Sequence, residues 1–333
     1  MSSSIALAAK LLIATVTTVT FVGDVLLDRG VRRQIERSGV DSLFTPAVDS
    51  VLLHSDRVVA NLECPATNIH SPAQKRYIFR AEPEWLYDLR RHGLTHLCLA
   101  NNHSVDQGRR GLESTYDNIV QAGMVPVGAA ATMAQAAQPL LLASEPRRVW
   151  LIASLRLALE NFAYLPLRFS VSQEPFDSLL SRVATLRAAD PRACIVVTLH
   201  WGAEHTLLPV PRQRHDAHRL VDAGADLIVG HHTHTLQTVE HYRGRTIYYS
   251  IGNFIFDQQQ PINTRACMVR LTVAKDCLDV QTLPIAISRC RPFLLHGQHS
   301  GAHSQVQQRS FVTWDKAEPG YKPDTRDDEN IGK

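Results

Sequence analysis

ADLIVGHHTH, at residues 225–234, places three histidines directly behind a short apolar run. Residues 225–229 are typical of a buried strand, and the histidines follow at the point where such a strand would end. Three imidazoles so close together are hard to explain by packing, because a neutral imidazole is the commonest metal ligand among side chains. The stretch therefore predicts a strand that ends in a metal site, with His232 and His234 facing that site from a tight loop. His231 is expected to support the loop.

The rest of the chain repeats this arrangement, with short apolar runs alternating with amphipathic segments. Strands are predicted at residues 16–22, 56–60, 97–100, 149–153, 194–199, 226–229 and 246–250. Helices are predicted at residues 29–38, 83–92, 112–121, 177–188 and 212–223. A closing β-hairpin is predicted at residues 266–274 and 278–287. Alternating strands and helices predict an α/β fold, in which ligands bind beyond the carboxyl ends of the strands.

Five predicted strands end in side chains that can bind a metal ion. These are Asp24, Glu63, Asn102 with His103, His200, and His232 with His234. Carboxylates neutralise a divalent cation, and imidazoles suit zinc, iron, manganese or nickel. A mixture of oxygen and nitrogen ligands favours a hydrolytic site over a structural zinc site, which is usually rich in cysteine. Two ions about 3.5–4 Å apart would clamp a substrate oxygen and hold a bridging hydroxide.

The composition excludes several other classes of protein. The 333 residues are 44% hydrophobic and 20% charged, which is ordinary for a globular protein. A formal net charge of +3 without a basic run gives no indication of a nucleic-acid partner. Six scattered cysteines without a Cys-x-x-Cys pair do not form a disulfide framework and suit a reducing compartment.

The two ends of the chain carry separate expectations. Residues 5–22 are mostly apolar, but Lys10 and four threonines interrupt them and no basic residue precedes them. This argues against a membrane span or a signal peptide, so residues 15–22 are interpreted as the first core strand. We therefore expect a cytoplasmic protein without membrane association, with an N-terminal anchor as the alternative. Residues 1–296 are expected to form one domain, followed by a polar, disordered or loosely packed tail at 297–333.

Six motifs in a fixed order carry a family resemblance. They are FVGD at 21–24, ANLE at 60–63, NNHSVDQG at 101–108, HWGAE at 200–204, GHHTH at 230–234 and YSIGNFIFDQ at 249–258. Together they closely resemble the bacterial capsule-synthesis CapA family, which is linked to poly-γ-glutamate and looks like a branch of the calcineurin-like metallophosphoesterases. The resemblance covers residues 20–258. It implies two stacked mixed β-sheets flanked by helices, the four-layer sandwich of the metallophosphoesterases.

The resemblance also implies metal-binding roles. Asp24 and His234 would bind the first metal, and Glu63 stands where phosphoesterases place the bridging Asp. The second metal would be held by Asn102, His200 and His232. Phosphoesterases carry Asp-x-His in the first motif, but Leu26 occupies that His position, so one or two ions are expected. Asp28 is the candidate for a replacement ligand.

The remaining candidate residues concern catalysis and substrate binding. By resemblance, His103 protonates the leaving group or steadies the transition state, and Asp106 orients His103. Arg109 could hold an anionic substrate through its two-pronged guanidinium. Functional and structural roles stay open for Glu204, and Asn253 is expected to shape the wall of the pocket.

Three functions follow from these observations. The leading hypothesis is a hydrolase dependent on Mn, Fe or Zn, whose metal-bound hydroxide attacks a phosphoester or a γ-glutamyl-type amide of an anionic small molecule or polymer. The second is a non-catalytic component of a complex that makes or exports poly-γ-glutamate. The third is a dedicated small-molecule biosynthetic enzyme on the same fold, which the fold by itself does not exclude.

Overall fold

The computed structural model describes residues 16–163, 165, 167–295 and 309–313. The strands are β1 Thr17–Val25, β2 Arg57–Leu62, β3 His96–Cys98, β4 Val125–Val127, β5 Ala129–Ala130, β6 Leu140–Ala143, β7 Val149–Leu155, β8 Ser170–Val171, β9 Cys194–His200, β10 Leu227–His231, β11 Val239–Tyr242, β12 Arg245–Tyr248, β13 Asn253–Ile255, β14 Arg265–Val273, β15 Cys277–Ser288, β16 Arg291–Leu294 and β17 Arg309–Thr313. The helices are α1 Arg29–Ser38, α2 Pro46–Leu53, α3 Trp85–Arg91, α4 Gly108–Gln121, α5 Met133–Ala136, α6 Phe176–Ala189 and α7 Pro211–Asp222, with 3-10 turns at Val40–Leu43 and Pro261–Asn263.

Two large mixed sheets form the body of the protein. The first has the strand order β16-β15-β14-β1-β2-β3-β4, with β13 also pairing with β1 and β17 with β15. Its strands β1 to β4 are parallel, whereas β14, β15 and β16 pair antiparallel. The second sheet has the order β11-β12-β10-β9-β7-β6, with four parallel strands between two antiparallel edges. A short pair, β5 and β8, forms a separate small sheet.

Side-chain alternation along the second sheet shows how the layers stack. In β9, Cys194 and Val196 belong to the core cluster that also contains the first sheet and α1 to α4. Their neighbours Ile195 and Val197 belong to a second cluster, with α6 and α7. Because successive side chains of a strand point to opposite faces, the second sheet lies between the first sheet and the α6–α7 layer. The predicted two stacked mixed sheets flanked by helices are therefore confirmed.

The strongly periodic segments were predicted well, and the short ones were missed. Helix α1 begins and ends at the predicted residues, and β14 and β15 form the predicted antiparallel hairpin. Helix α2 and the short strands β4, β5, β6, β8, β11, β13 and β16 were not predicted. A strand of two to four residues shows no clear period, so its pairing depends on neighbours that are distant in sequence.

The terminal predictions fall largely outside the described residues. Residues 1–15 and most of 297–333 belong to that group, and the interpretation of 15–22 as a strand agrees with β1 from Thr17 onward. Within the predicted loose tail, β17 pairs antiparallel with β15, which the sequence analysis did not predict. Strand pairing uses backbone hydrogen bonds, which a segment can supply without an apolar pattern of its own.

All six cysteines are unpaired, and four of them are buried. This agrees with the sequence interpretation, in which they fill the core as small apolar side chains. Among the helices of the described ranges, none combines the length and the apolar character needed to cross a membrane.

One buried histidine outside the site makes the fold sensitive to acid. His96 in β3 is 5% exposed, and burial lowers its pKa to about 4, aided by the charge of Arg57. Because the folded protein holds His96 neutral, stability is complete above the unfolded pKa of about 6.5 and falls as the pH drops toward 4. The loss reaches about 3 kcal/mol. His96→Gln should remove this part of the pH dependence in urea unfolding between pH 7 and 4. The exposed His54→Gln control should keep it, and equal slopes for the two variants would contradict the assignment.

Candidate metal centre

The carboxyl ends of four parallel strands meet at one edge of the two sheets. Asp24 lies near the end of β1, Glu63 follows the last residue of β2, His200 ends β9 and His231 ends β10. Gly23 allows the chain to approach β13 here, because a Cβ on Gly23 would lie 2.0 Å from the carbonyl oxygen of Gly252. Parallel strands therefore bring side chains that are more than 200 residues apart in sequence to one place.

Two groups of buried side chains at this edge can each hold a metal ion. The first consists of Asp24, Glu63 and His234, and the second of Glu63, His200 and His232. Within each group, the candidate donor atoms lie within 4.8 Å of one another. Glu63 belongs to both groups, which is the bridging position that the family resemblance implies for it.

Each of the two carboxylates keeps one oxygen atom available to a ligand. Asp24 and Glu63 are completely buried, and neither Asp24 Oδ2 nor Glu63 Oε1 has a hydrogen-bond partner in the described part of the chain. Burial raises the pKa of Glu63 well above its usual range, and the neighbouring charge of Asp24 raises it further. Two buried carboxylates side by side are costly unless a cation compensates them, so the donor set fits a divalent metal.

Asn61 arranges these carboxylates, and the sequence analysis missed it. Its Nδ2 donates to Asp24 Oδ1 at 2.8 Å and lies 3.2 Å from Glu63 Oε2. Asn61 thus occupies one oxygen of each carboxylate and leaves the other for a ligand. Asp24 Oδ2 lies 3.4 Å from His234 Nδ1, and Glu63 Oε1 lies 3.5 Å from His234 Nε2. The period of two that places Asn61 and Glu63 on the same face of the chain could have indicated this role.

Two histidines of the second group, His200 and His232, are held as neutral imidazoles, the form that binds a metal. Burial, followed by the charge of His232, holds the pKa of His200 well below its usual range. Burial also lowers the pKa of His232 to about 4, with the charge of His234 as the next cause. The Asn102 Oδ1 atom lies 2.8 Å from His200 Nε2, so this amide oxygen borders the second group.

The loop that carries the histidine cluster is strained. His232 has φ +90° and His234 has φ +56°, in the left-handed region that side chains other than glycine seldom enter. This backbone turns both imidazoles toward the carboxylates. Such strain costs of order 1–3 kcal/mol per residue and is typical of functional sites.

His231 takes a different place from its two neighbours. Its Nδ1 lies 3.3 Å from Asp24 Oδ1, the oxygen that also accepts from Asn61. Burial alone would raise the pKa of Asp24, but the close imidazoles of His231 and His234 outweigh it and hold that pKa well below its usual range. His231 thus contacts a ligand candidate, Asp24, and its expected role as a support of the loop stays a prediction.

A hydrogen-bonded pair lies beside the metal-binding groups. His103 Nδ1 and Asp106 Oδ2 are 2.8 Å apart, which leaves Nε2 as the ring nitrogen for proton exchange. Burial lowers the pKa of His103, although Asp106 opposes this shift. Lys75, which the sequence analysis missed, lies 2.5 Å from Asp106 Oδ1 and donates to the carbonyl oxygen of Asn102 at 2.9 Å. Nothing in the segment around Lys75 signals this role, because the contact depends on a loop folding back over 27 residues or more.

The three candidate substrate-binding residues lie in different surroundings. Asn253 Oδ1 lies 3.0 Å from His234 Nδ1, so Asn253 contacts a ligand candidate directly. The Glu204 side chain is 45% exposed, and its charge acts on both Glu63 and His232.

Arg109 is engaged in contacts with the loop that precedes β8. It donates to the carbonyl oxygens of Phe169 and Ala163, and its guanidinium lies over the ring of Phe162 at 4.5 Å. These contacts fasten the start of α4 to the loop.

The departures from the phosphoesterase pattern have structural explanations. Leu26 is completely buried in the apolar core. Asp28 caps α1 by accepting from the Arg29 backbone at 2.7 Å, and it also accepts from the Arg80 backbone at 2.8 Å. Its oxygens are therefore occupied by the fold, and the structure does not bring Asp28 into either metal-binding group.

Comparisons with known proteins agree with the motifs. The family model described as "Bacterial capsule synthesis protein PGA_cap" matches residues 18–258. The chain is 34% identical to "Capsule biosynthesis protein CapA" of Bacillus anthracis over 257 residues, which cover 72% of this chain and 60% of that protein. It is 30% identical to "PGA biosynthesis protein CapA" of Bacillus subtilis over 281 residues, which cover 83% of this chain and 73% of that protein. Among solved structures, it is similar to the Thermus thermophilus sulfate thiohydrolase SoxB, with 16% identity and a TM-score of 0.40 over 76% of this chain and 41% of that chain.

Proposed function

The chain belongs to the bacterial capsule synthesis protein PGA_cap family, and from this premise we propose that it is a metal-dependent hydrolase. Its substrate would be an anionic phosphoester or γ-glutamyl-type amide, as a small molecule or a polymer, in capsule or poly-γ-glutamate metabolism. The observation that carries the proposal is the completely buried Glu63, which is shared by two sets of ligand side chains. A structural metal site would not need two such sets around one carboxylate.

The ions and the side chains of this site would have different roles in hydrolysis. Divalent ions would supply Lewis acidity and a nucleophile derived from water at neutral pH. Asn61 fixes one oxygen of Asp24 and one of Glu63, which keeps the free oxygens turned toward His234. The site is therefore arranged before a substrate arrives, and preorganisation of this kind is a major source of catalytic rate.

His103 is positioned to handle the proton of the leaving group. Asp106 accepts from Nδ1, so the doubly protonated ring would give its Nε2 proton to the leaving oxygen or nitrogen and remain as the neutral imidazole. Lys75 holds Asp106 in place through an ion pair, since both side chains are buried and 2.5 Å apart. Cleavage of an ester or an amide needs this step, because an alkoxide or an amide anion leaves slowly without a proton.

Substitution of one ligand in each group separates the two sets. His234→Gln should lose the ion of the first group and His200→Gln that of the second, so each should retain about half of the wild-type metal. Metal content after dialysis, measured by mass spectrometry, checks this expectation, with the exposed His70→Gln as control. Complete loss of metal in both variants would mean that the two groups do not bind ions separately.

The function itself is tested on purified protein loaded in turn with Mn, Fe and Zn. A panel of phosphoesters and γ-glutamyl amides should contain at least one substrate whose cleavage stops when a chelator is added. Cleavage of phosphoesters alone or of amides alone would identify the bond class. If no member of either class is cleaved with any of the three metals, the hydrolase proposal fails, and a non-catalytic role in a polymer-handling complex becomes the better explanation.

A further inference from the structure

Arg29, at the start of α1, holds its guanidinium between two aromatic rings. The guanidinium carbon lies 5.3 Å from the centre of the Phe79 ring and 5.5 Å from that of the Phe256 ring. The backbone of Arg29 has φ +53°, a left-handed conformation that is uncommon for this residue type. The fold thus accepts backbone strain at a charged residue, which is more often found at functional positions than elsewhere.

Each of these rings also contacts one side of the proposed active site. The Phe79 ring lies 4.4 Å from the ring of His103, and the Phe256 ring lies 4.7 Å from that of His234. Arg29 is therefore separated by a single aromatic ring from the proton-transfer residue and by another from a metal-ligand candidate. A substrate that extends past one of these rings would reach Arg29 without displacing a metal-ligand candidate.

The guanidinium retains hydrogen-bonding capacity and access to solvent. Asp257 accepts from its Nε and Nη2 groups, and the Gly30 backbone also donates to this carboxylate. Nη1 makes no hydrogen bond to any residue that the structure describes, and the side chain is 34% exposed. Asp257 and the two rings hold the guanidinium rigidly, so binding an anion at Nη1 would cost little further side-chain entropy.

We propose that Arg29 is a specificity-determining residue that binds an acidic group of the substrate, a carboxylate or a phosphate, beside the metal centre. This inference rests on the proposed hydrolase function and gives it a substrate class, because a guanidinium N–H binds an anionic oxygen more strongly than a neutral one. The other candidate arginine, Arg109, has its guanidinium engaged with backbone carbonyls of a loop. Arg29 instead presents N–H groups in the planar geometry that suits carboxylate and phosphate oxygens.

The test measures binding of three probes by calorimetry, with both metal-loaded and chelated protein. The probes are N-acetylglutamate, inorganic phosphate and the neutral N-acetylglutamine amide. Arg29→Met should weaken at least one acidic probe by about tenfold and leave the neutral probe unchanged. The matched control is Arg33→Met, which removes the same charge from an exposed position of the same helix. A larger loss for phosphate would favour a phosphoester substrate, and a larger loss for N-acetylglutamate a γ-glutamyl one.

A second variant separates anion binding from a merely structural ion pair. Asp257→Asn removes the opposing charge but keeps an acceptor for the guanidinium, so acidic probes should bind as tightly as to the wild type or more tightly. If Arg29 only stabilised the fold, Arg29→Met and Asp257→Asn would weaken probe binding together, and that result would overturn the proposal. Unchanged probe binding in Arg29→Met would overturn it too. If Arg29→Met does not fold, Arg29→Lys is the substitute variant, because it removes the guanidinium but keeps the positive charge. Failure of metal loading would count against the hydrolase function alone, because the chelated samples still report on Arg29.

Discussion

Glu63→Gln is expected to weaken metal binding in both ligand groups and to lower hydrolysis by at least about a hundredfold. Glu63 is the shared member of the two groups, so its substitution removes one negative ligand from each. An amide oxygen still fits the space, but it lacks the charge that a divalent ion requires from such a site. Metal content and turnover of the same samples measure the two effects together.

In the metal-free protein, the same substitution should raise the thermal stability. Glu63 is completely buried next to Asp24, and burial raises its pKa well above the usual range, as does the charge of Asp24. A neutral glutamine relieves this repulsion, so the chelated variant should melt at a higher temperature than the chelated wild type. Added metal should raise the melting temperature of the wild type much more than that of the variant.

Glu113→Gln is the matched control, because it makes the same chemical change at an exposed position of α4. It should leave metal content, turnover and both melting temperatures unchanged. A Glu63→Gln variant that is less stable than the wild type in chelator would show that the carboxylate is a favourable part of the fold. The interpretation of Glu63 as a metal bridge would then be wrong.

His103→Gln is expected to lower turnover by about 10²- to 10³-fold while leaving the metal content unchanged. His103 belongs to neither ligand group, and its Nδ1 is engaged with Asp106 at 2.8 Å. Its loss therefore removes a proton donor and leaves the metal ligands intact. Asp106→Asn should lower turnover in the same direction, since an amide holds the imidazole less well in the orientation and tautomer that proton transfer needs.

The leaving group distinguishes proton transfer from a general structural effect. A nitrophenolate leaves without help, whereas an alkoxide needs a proton, so His103→Gln should impair alkyl esters far more than nitrophenyl esters. His92→Gln is the matched control, because His92 also contacts a phenylalanine ring, that of Phe44, and pairs with a carboxylate, Asp49. Equal losses for both kinds of ester would contradict the role of His103 as a proton donor.

The longer strands, and the candidate ligand side chains at their ends, could be predicted from local sequence. The Cys194–His200 strand is a continuous apolar run that ends in a histidine, and the hairpin of β14 and β15 alternates with a period of two. Both signals arise from short-range geometry, because the direction of a side chain in a strand follows from its position. The sequence also placed the ligand candidates after strands, where an α/β sheet binds its ligands.

The different contacts of these side chains could be found only from the tertiary structure. Arg109 and Arg29 are both arginines near the start of a helix, and nothing local separates the one that fastens a loop from the one that lies between two aromatic rings. Lys75 likewise reaches Asp106 only because a loop folds back over the site. Such contacts depend on residues that are distant in sequence, which a local pattern does not encode.

By itself, the sequence determined that this chain is an α/β protein whose strands end in carboxylates, amides and imidazoles suited to a metal. Only the tertiary structure decided which donor atoms lie within 4.8 Å of one another around Glu63, that Asn61 occupies one oxygen of each carboxylate, and that Asp28 is used as a helix cap. The physical reason is that ligand type is a property of single residues, whereas sharing a ligand and pairing a charge require distances of a few ångströms. Those distances are set by the stacking of two sheets.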